Sequence, residues 1–323
     1  MHRPPPLAAS ILDVIGNTPL VELRRVAARL GLEGRLLAKL EYLSPGSSKK
    51  DRVALEIVNR ARADGSLAEG QTVVELTSGN TGTGLAIVCR ALGHPFVAVM
   101  SKGNSVERWR QMTALGAEVV LVDQADGAAP GQVSGSDLEL AQHQTEQLVA
   151  DRGAFRAHQF EREGSVLAHE LHTGPEIWEQ SGGRVDAFLD CPGTCGSFTG
   201  IARALKARNP SLRAYIVEPE SAAALAGCDL RQAGHKIQGA GYARADLPLY
   251  DPALAAGFVQ VGDDQAIASA RLLAAEEGIF AGFSTGAHLA AAVELLKGRE
   301  RGATIAFLVC DSGLKYLSTD LYS

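Results

Sequence analysis

The stretch Pro45-Gly46-Ser47-Ser48-Lys49-Lys50-Asp51-Arg52 puts two lysines at a strand-to-helix turn. The positive end of a helix macrodipole disfavours a charged amine in the first turn. A lysine kept neutral there is a nucleophile able to form a Schiff base. The plain alternative is a pair of solvated loop charges. Thr77-Ser78-Gly79-Asn80-Thr81-Gly82 offers three hydroxyls, one amide and backbone N–H groups at a helix start. Such a loop suits a carboxylate or a phosphate, although a Ser or Thr there could do no more than cap the helix. Gly193-Thr194-Cys195-Gly196-Ser197 has small residues that let the backbone form an anion-binding nest, or only a tight turn. Gly282-Phe283-Ser284-Thr285-Gly286 places Ser284 where it could exchange one hydrogen bond with a ligand, or cap the helix that follows.

Each loop needs a strand before it and a helix after it, and the residue pattern predicts both. Strands are expected at 36–41, 72–76, 95–100, 118–122, 185–190, 214–218, 278–283 and 304–310, with Pro219 ending the sixth. Helices are expected over 51–63, from the Thr77 loop to about 92, and over 106–115, 137–151, 198–207, 265–277 and 285–296. Residues 124–136 read as a surface loop and 227–257 as irregular. The alternation makes this an α/β protein with parallel, helix-covered sheets in two halves that meet near 150–160. In such folds ligands bind at the carboxyl ends of strands, where all four loops lie.

Composition removes several other classes. The 323 residues carry a formal charge of −6 and no basic run, against the positive footprint of a nucleic-acid binder. No stretch approaches the ~18 uninterrupted apolar residues of a membrane span. The opening MHRPPPLAAS lacks the apolar core of a secretory signal. Five cysteines, an odd number, make no disulfide framework and point to a reducing, cytoplasmic setting. Cys191 and Cys195 lack a second pair at zinc spacing, and no further motif accompanies His158, His169 and His172, so no metal is expected. No nucleophile elbow and no Walker loop occurs.

Taken together and in order, the motifs resemble the pyridoxal-phosphate-dependent cysteine synthases, the O-acetylserine sulfhydrylases, among the fold-type II (tryptophan synthase β-like) enzymes. The resemblance begins at Ile15-Gly16-Asn17-Thr18-Pro19-Leu20 and takes in the four loops, Gln159, Thr173–Trp178, Val217-Glu218-Pro219 and Ser312–Leu321. It implies two domains, 46–154 a smaller mobile one and 1–45 with 155–323 a larger one, with the active site in the cleft between them. It implies that Lys50 carries pyridoxal 5′-phosphate and that Asn80 bonds its phenolic oxygen. Gly193, Thr194, Cys195, Gly196 and Ser197 would hold the phosphate, and Ser284 would face the pyridine nitrogen. Thr77, Ser78, Gly79, Thr81 and Gln159 would take the substrate carboxylate. The family's phosphate loop usually reads GTGGT, so Cys195 and Ser197 are departures. So are Glu161-Arg162-Glu163-Gly164-Ser165 and the short run Gln238-Gly239-Ala240-Gly241.

The implied activity is β-replacement on an O-activated L-serine, most simply O-acetyl-L-serine and sulfide giving L-cysteine and acetate through an aminoacrylate, by a homodimer. The same chemistry with O-phosphoserine as donor, or with cyanide, homocysteine or an amine as nucleophile, is the alternative. A nicotinamide dehydrogenase would use Gly79, Gly82 and Gly84, but needs an acid near the end of the next strand, which here reads Met100-Ser101-Lys102. A non-catalytic relative would not be expected to keep both Lys50 and Asn80.

Overall fold

The computed structural model describes residues 7–77, 79–126, 135–228 and 234–323. The expected loop at 124–136 and the irregular stretch at 227–257 therefore lie partly outside the described residues, and so do the first six residues of the opening segment. In chain order the elements are β1 (Leu20–Glu22), α1 (Arg24–Arg29), β2 (Arg35–Lys39), α2 (Lys50–Ala63), β3 (Val73–Leu76), α3 (Asn80–Leu92), β4 (Phe96–Ser101), α4 (Val106–Ala114), β5 (Glu118–Val122), α5 (Gly135–Arg152) and β6 (Phe155–Arg156). There follow α6 (Gly164–Ala168), a π turn over His169–Thr173, α7 (Gly174–Gln180), β7 (Ala187–Asp190), α8 (Gly196–Lys206), β8 (Arg213–Pro219), β9 (Ala255–Val261), α9 (Asp263–Glu277), α10 (Phe283–Lys297) and β10 (Thr304–Leu308).

The chain forms two compact units. The first comprises Met1–Asn17, Ser44–Gly46 and Lys50–Ala157. Its sheet has the order β5-β4-β3-β6, parallel throughout. Every residue of Phe96–Ser101 is buried, as expected of a parallel strand covered on both faces. Val74, Val97, Val99 and Ala141 of α5 form its core.

The second unit comprises Thr18–Leu43, Ser47–Lys49 and His158–Ser323. Its six-stranded sheet has the order β1-β2-β10-β7-β8-β9, with only β1 antiparallel. One face packs on α9 and α10 through Leu36, Leu189, Val217, Leu273 and Leu289, and the other on α8 through Phe188, Phe198, Ile201 and Leu205.

One expected strand and one expected irregular stretch are corrected here. Residues 278–283 are not a strand: Gly278 closes α9 at φ +70°, Ala281 makes one isolated bridge to Ser312, and α10 already begins at Phe283. The alternating burial of Ile279, Ala281 and Phe283 imitates a strand without a ladder. Conversely, β9 begins inside the stretch read as irregular, where the unbranched Ala-Ala-Gly start hides a strand paired with β8 from Ala214 to Pro219. Pro219 belongs to β8. Its neighbour β7 ends opposite Ile216, so the missing N–H breaks no bond on that side.

Candidate active site

In the first unit, Lys50 opens α2 and is half-buried. A side-chain carbon at Gly84 of α3 would lie 3.0 Å from the Lys50 carbonyl oxygen and 3.2 Å from the Asp51 Cα. That closeness brings the start of α2 within about one turn of Asn80 and Thr81, which open α3. Gly79 stands before them at φ +145°, a conformation that only glycine adopts readily, and any side chain there would meet the Arg108 guanidinium at 3.0 Å. The Thr77 hydroxyl accepts hydrogen bonds from the N–H groups of Gly79 (3.2 Å) and Gly82 (2.9 Å). Its oxygen thus shapes the turn, as in the capping alternative. Ser78 lies outside the described residues.

In the second unit, the segment expected to hold a phosphate joins β7 to α8. The helix starts at Gly196, two residues earlier than the pattern suggests, with Cys195 as N-cap and no side-chain cap. All of Gly193–Ser197 is buried, Thr194 being the most open at 8 %. Glycine is required where backbone meets backbone: a carbon at Gly193 would lie 2.7 Å from the Gly239 carbonyl, and one at Gly196 2.6 Å from that of Ser165. A buried helix start that the N-cap side chain leaves uncapped, with only the Gly196 N–H reaching a side chain (Thr194 Oγ1, 3.3 Å), fits an anion such as a phosphate. Cys195 sits at φ +64°, in the left-handed region that favours the glycine usual at this position. Burial, with the Asp190 charge adding to it, pushes its thiol well above the ordinary range, so it is no reactive thiolate.

Ser284 is the second residue of α10, not its cap; Gly282 is the N-cap. Ser284 is 6 % exposed, and its hydroxyl has no hydrogen-bond partner among the described residues. A hydroxyl without a partner on an otherwise buried residue fits a ligand's ring nitrogen. Gln159 is also buried, and its carbonyl accepts from the Ser165 hydroxyl at 2.7 Å. Within each unit the candidate residues thus gather at helix starts: Lys50, Thr77, Gly79, Asn80 and Thr81 in the first, and Gly193–Ser197 and Ser284 in the second.

The pattern missed a buried charge cluster in the second unit. Lys49 is no solvated loop charge. Its side chain is 6 % exposed, and its amine donates to both oxygens of Asp190 (3.0 and 3.3 Å) and to the Ser197 Oγ (2.9 Å). The Ser197 hydroxyl in turn donates to Asp190. Burial pulls the Lys49 amine down, but the Asp190 carboxylate outweighs it and holds the amine above the usual lysine range. Likewise burial raises the Asp190 carboxyl, and Lys49 more than reverses this. Lys49 is therefore a locked cation, unfit as a nucleophile.

Asp190, His288 and Cys310 lie with ligand atoms within 4.8 Å of one another. Their capacity is spent, however. Asp190 serves Lys49, and His288 accepts from the Cys191 N–H (2.7 Å) while its other nitrogen donates to the Leu308 carbonyl (2.8 Å). The signal available in the sequence was an acid ending an apolar strand, Ala187-Phe188-Leu189-Asp190, which demands a cation.

The family described as "Pyridoxal-phosphate dependent enzyme" matches residues 11–311. A cysteine synthase of Staphylococcus aureus is 38 % identical over 319 residues, covering 97 % of each chain. The solved O-acetyl serine sulfhydrylase isoform 3 from Entamoeba histolytica superposes with a TM-score of 0.91 at 34 % identity, covering 100 % of this chain and 94 % of its own. A solved O-ureido-L-serine synthase gives 0.87 at 37 % identity, covering 98 % and 96 %.

Proposed function

Since the chain belongs to the pyridoxal-phosphate dependent enzymes, we propose that it catalyses β-replacement on an O-activated L-serine, with O-acetyl-L-serine as donor and sulfide as nucleophile. The observation that carries this reading is the end-to-end likeness to the S. aureus cysteine synthase, 38 % identical over 97 % of both chains. The cofactor belongs to the family, and when bound it supplies an electron sink for the pair left at the substrate's Cα.

The chain's own residues have separate tasks in this reading. Lys50 is the amine that would carry the cofactor, and its freed amine would take the proton from the substrate Cα. Locked Lys49 cannot compete for either task. Asn80 orients the cofactor ring through its phenolic oxygen. The N–H groups at the start of α3, with Thr77, Ser78, Gly79 and Thr81 and with Gln159, bind the carboxylate and orient the Cα–H bond. The buried start of α8, with Gly193, Thr194, Cys195 and Gly196, would take the phosphate together with Ser197. Ser284, a neutral hydroxyl, would face the pyridine nitrogen and leave it unprotonated, a setting that favours β-elimination over reactions needing a longer-lived carbanion. A cytoplasmic homodimer completes the reading.

The likeness to an O-ureido-L-serine synthase supports a second reading, in which the donor is kept and another nucleophile replaces sulfide. A matrix of donors against nucleophiles, read by mass spectrometry, tests both. Cysteine formed from O-acetylserine and sulfide in clear preference to other pairs is the expected result. A visible spectrum unchanged by O-acetylserine but altered by O-phosphoserine would overturn the donor, and a larger kcat/KM with a nucleophile other than sulfide would favour the second reading.

A further inference from the structure

We propose that Lys49 and Asp190 are positioning residues for the phosphate loop: their ion pair fixes the Ser197 side chain and, through it, the first turn of α8. The inference rests on the reading that Gly193–Ser197 holds the cofactor phosphate.

The bonds around Ser197 close on themselves. Its single hydroxyl proton goes to Asp190, and its oxygen accepts from Lys49 at 2.9 Å. The hydroxyl therefore has no proton left for a phosphate, and Ser197 contributes through its backbone N–H, whose direction the side-chain tether sets. Thr194 differs. Its Oγ1 accepts from the Gly196 N–H at 3.3 Å, and its own proton has no acceptor among the described residues.

Both ends of the tether are fixed. The Lys49 N–H donates to the Cys310 carbonyl at 2.8 Å, and Ser48 bridges to Asp311. Asp190 ends β7, which runs between β10 and β8. The loop itself holds Cys195 at φ +64°, a backbone that does not stay in place by its own preference. An interior site of this kind could pack an apolar pair at equal or lower cost in free energy, so the ion pair needs a geometric reason. Holding Ser197 supplies one.

The test measures the affinity of apo protein for pyridoxal 5′-phosphate and, separately, for pyridoxal, by absorbance titration. Their ratio isolates the phosphate's share of binding. In the double variant Lys49→Met/Asp190→Leu, which strands no charge, the ratio is expected to fall at least tenfold while pyridoxal affinity stays within about threefold and the melting temperature does not drop. An unchanged ratio, or both affinities falling in parallel, would overturn the inference. If that variant does not fold, Lys49→Gln/Asp190→Asn is judged by the same ratio. Equal affinities in the wild-type protein would instead overturn the phosphate-loop reading itself, so the two failures are distinguishable.

Discussion

Replacing Lys49 by Met leaves the Asp190 carboxylate fully buried with its counter-charge gone. Breaking a buried pair in this way typically costs about 3–5 kcal/mol. The pH dependence is the sharper signature. In the wild-type protein Asp190 is held below its ordinary range, so its contribution is present above about pH 4 and is lost only as the pH falls further. Lys49 is held above its ordinary range, so its contribution is present below about pH 10 and is lost only at higher pH. Between about pH 5 and 9 the pair adds no slope. In Lys49→Met the sign reverses. The groups facing the carboxylate are then Ser197 and His288, whose Nε2 lies 3.3 Å away, with the buried thiols of Cys191, Cys195 and Cys310 nearby. Whether Asp190 or His288 takes up a proton, the native state binds one that the unfolded chain has released. Stability then falls with rising pH by up to about 1.4 kcal/mol per unit. Over the two pH units from 6 to 8 that amounts to at most about 3 kcal/mol. Urea unfolding followed by circular dichroism at several pH values measures it, and Lys49→Met/Asp190→Leu should remove the added slope that the unpaired Asp190 carboxylate creates in Lys49→Met. A single variant whose profile runs parallel to the wild type would refute the claim that these charges are paired and buried.

Borohydride reduction and peptide mapping of the holoenzyme should place the pyridoxyl group on Lys50, and a label on Lys49 would contradict its locked state. Thr81→Ala removes a hydrogen bond to the substrate carboxylate worth about 1.5–3 kcal/mol, so amino-acid affinity should fall roughly ten- to hundredfold with cofactor still bound, as spectral titration would report. Cys195→Gly should change stability by less than about 1 kcal/mol, because relief of the left-handed backbone offsets the lost burial, whereas Cys195→Val should lose at least that much. Thermal melts compare the two variants, and thiol labelling of the wild-type holoenzyme should leave Cys195 unmodified.

The loops were legible because glycine, serine and threonine between an apolar run and a helical pattern have few other uses. Strands such as β4 were legible because a parallel strand covered on both faces is a continuous apolar run. β9 was not, since Ala255-Ala256-Gly257 carries no β-branched residue and its place is set by pairing with β8. The strand read into 278–283 shows the converse, alternation produced by burial beside Tyr316 and Tyr322 with no neighbour to pair with. At the site, the spacing drew attention to two adjacent lysines but could not tell them apart. What separates them is a carboxylate 141 residues away in sequence, and only the folded chain brings it to Lys49.

The register of the larger sheet has a consequence for how the protein is made. β2 pairs along its whole length with β10, from Arg35 opposite Thr304 to Lys39 opposite Leu308. On the ribosome the amino-terminal strand must therefore wait for roughly 270 residues of further synthesis. At about 5–20 residues per second that is some tens of seconds, during which β1 can pair with one edge of β2 but the edge of Leu36, Leu37 and Ala38 that faces β10 stays open. The nascent chain passes this interval with an apolar strand open to chaperones and to neighbouring copies, and completion of its last strand is the event that ends the exposure.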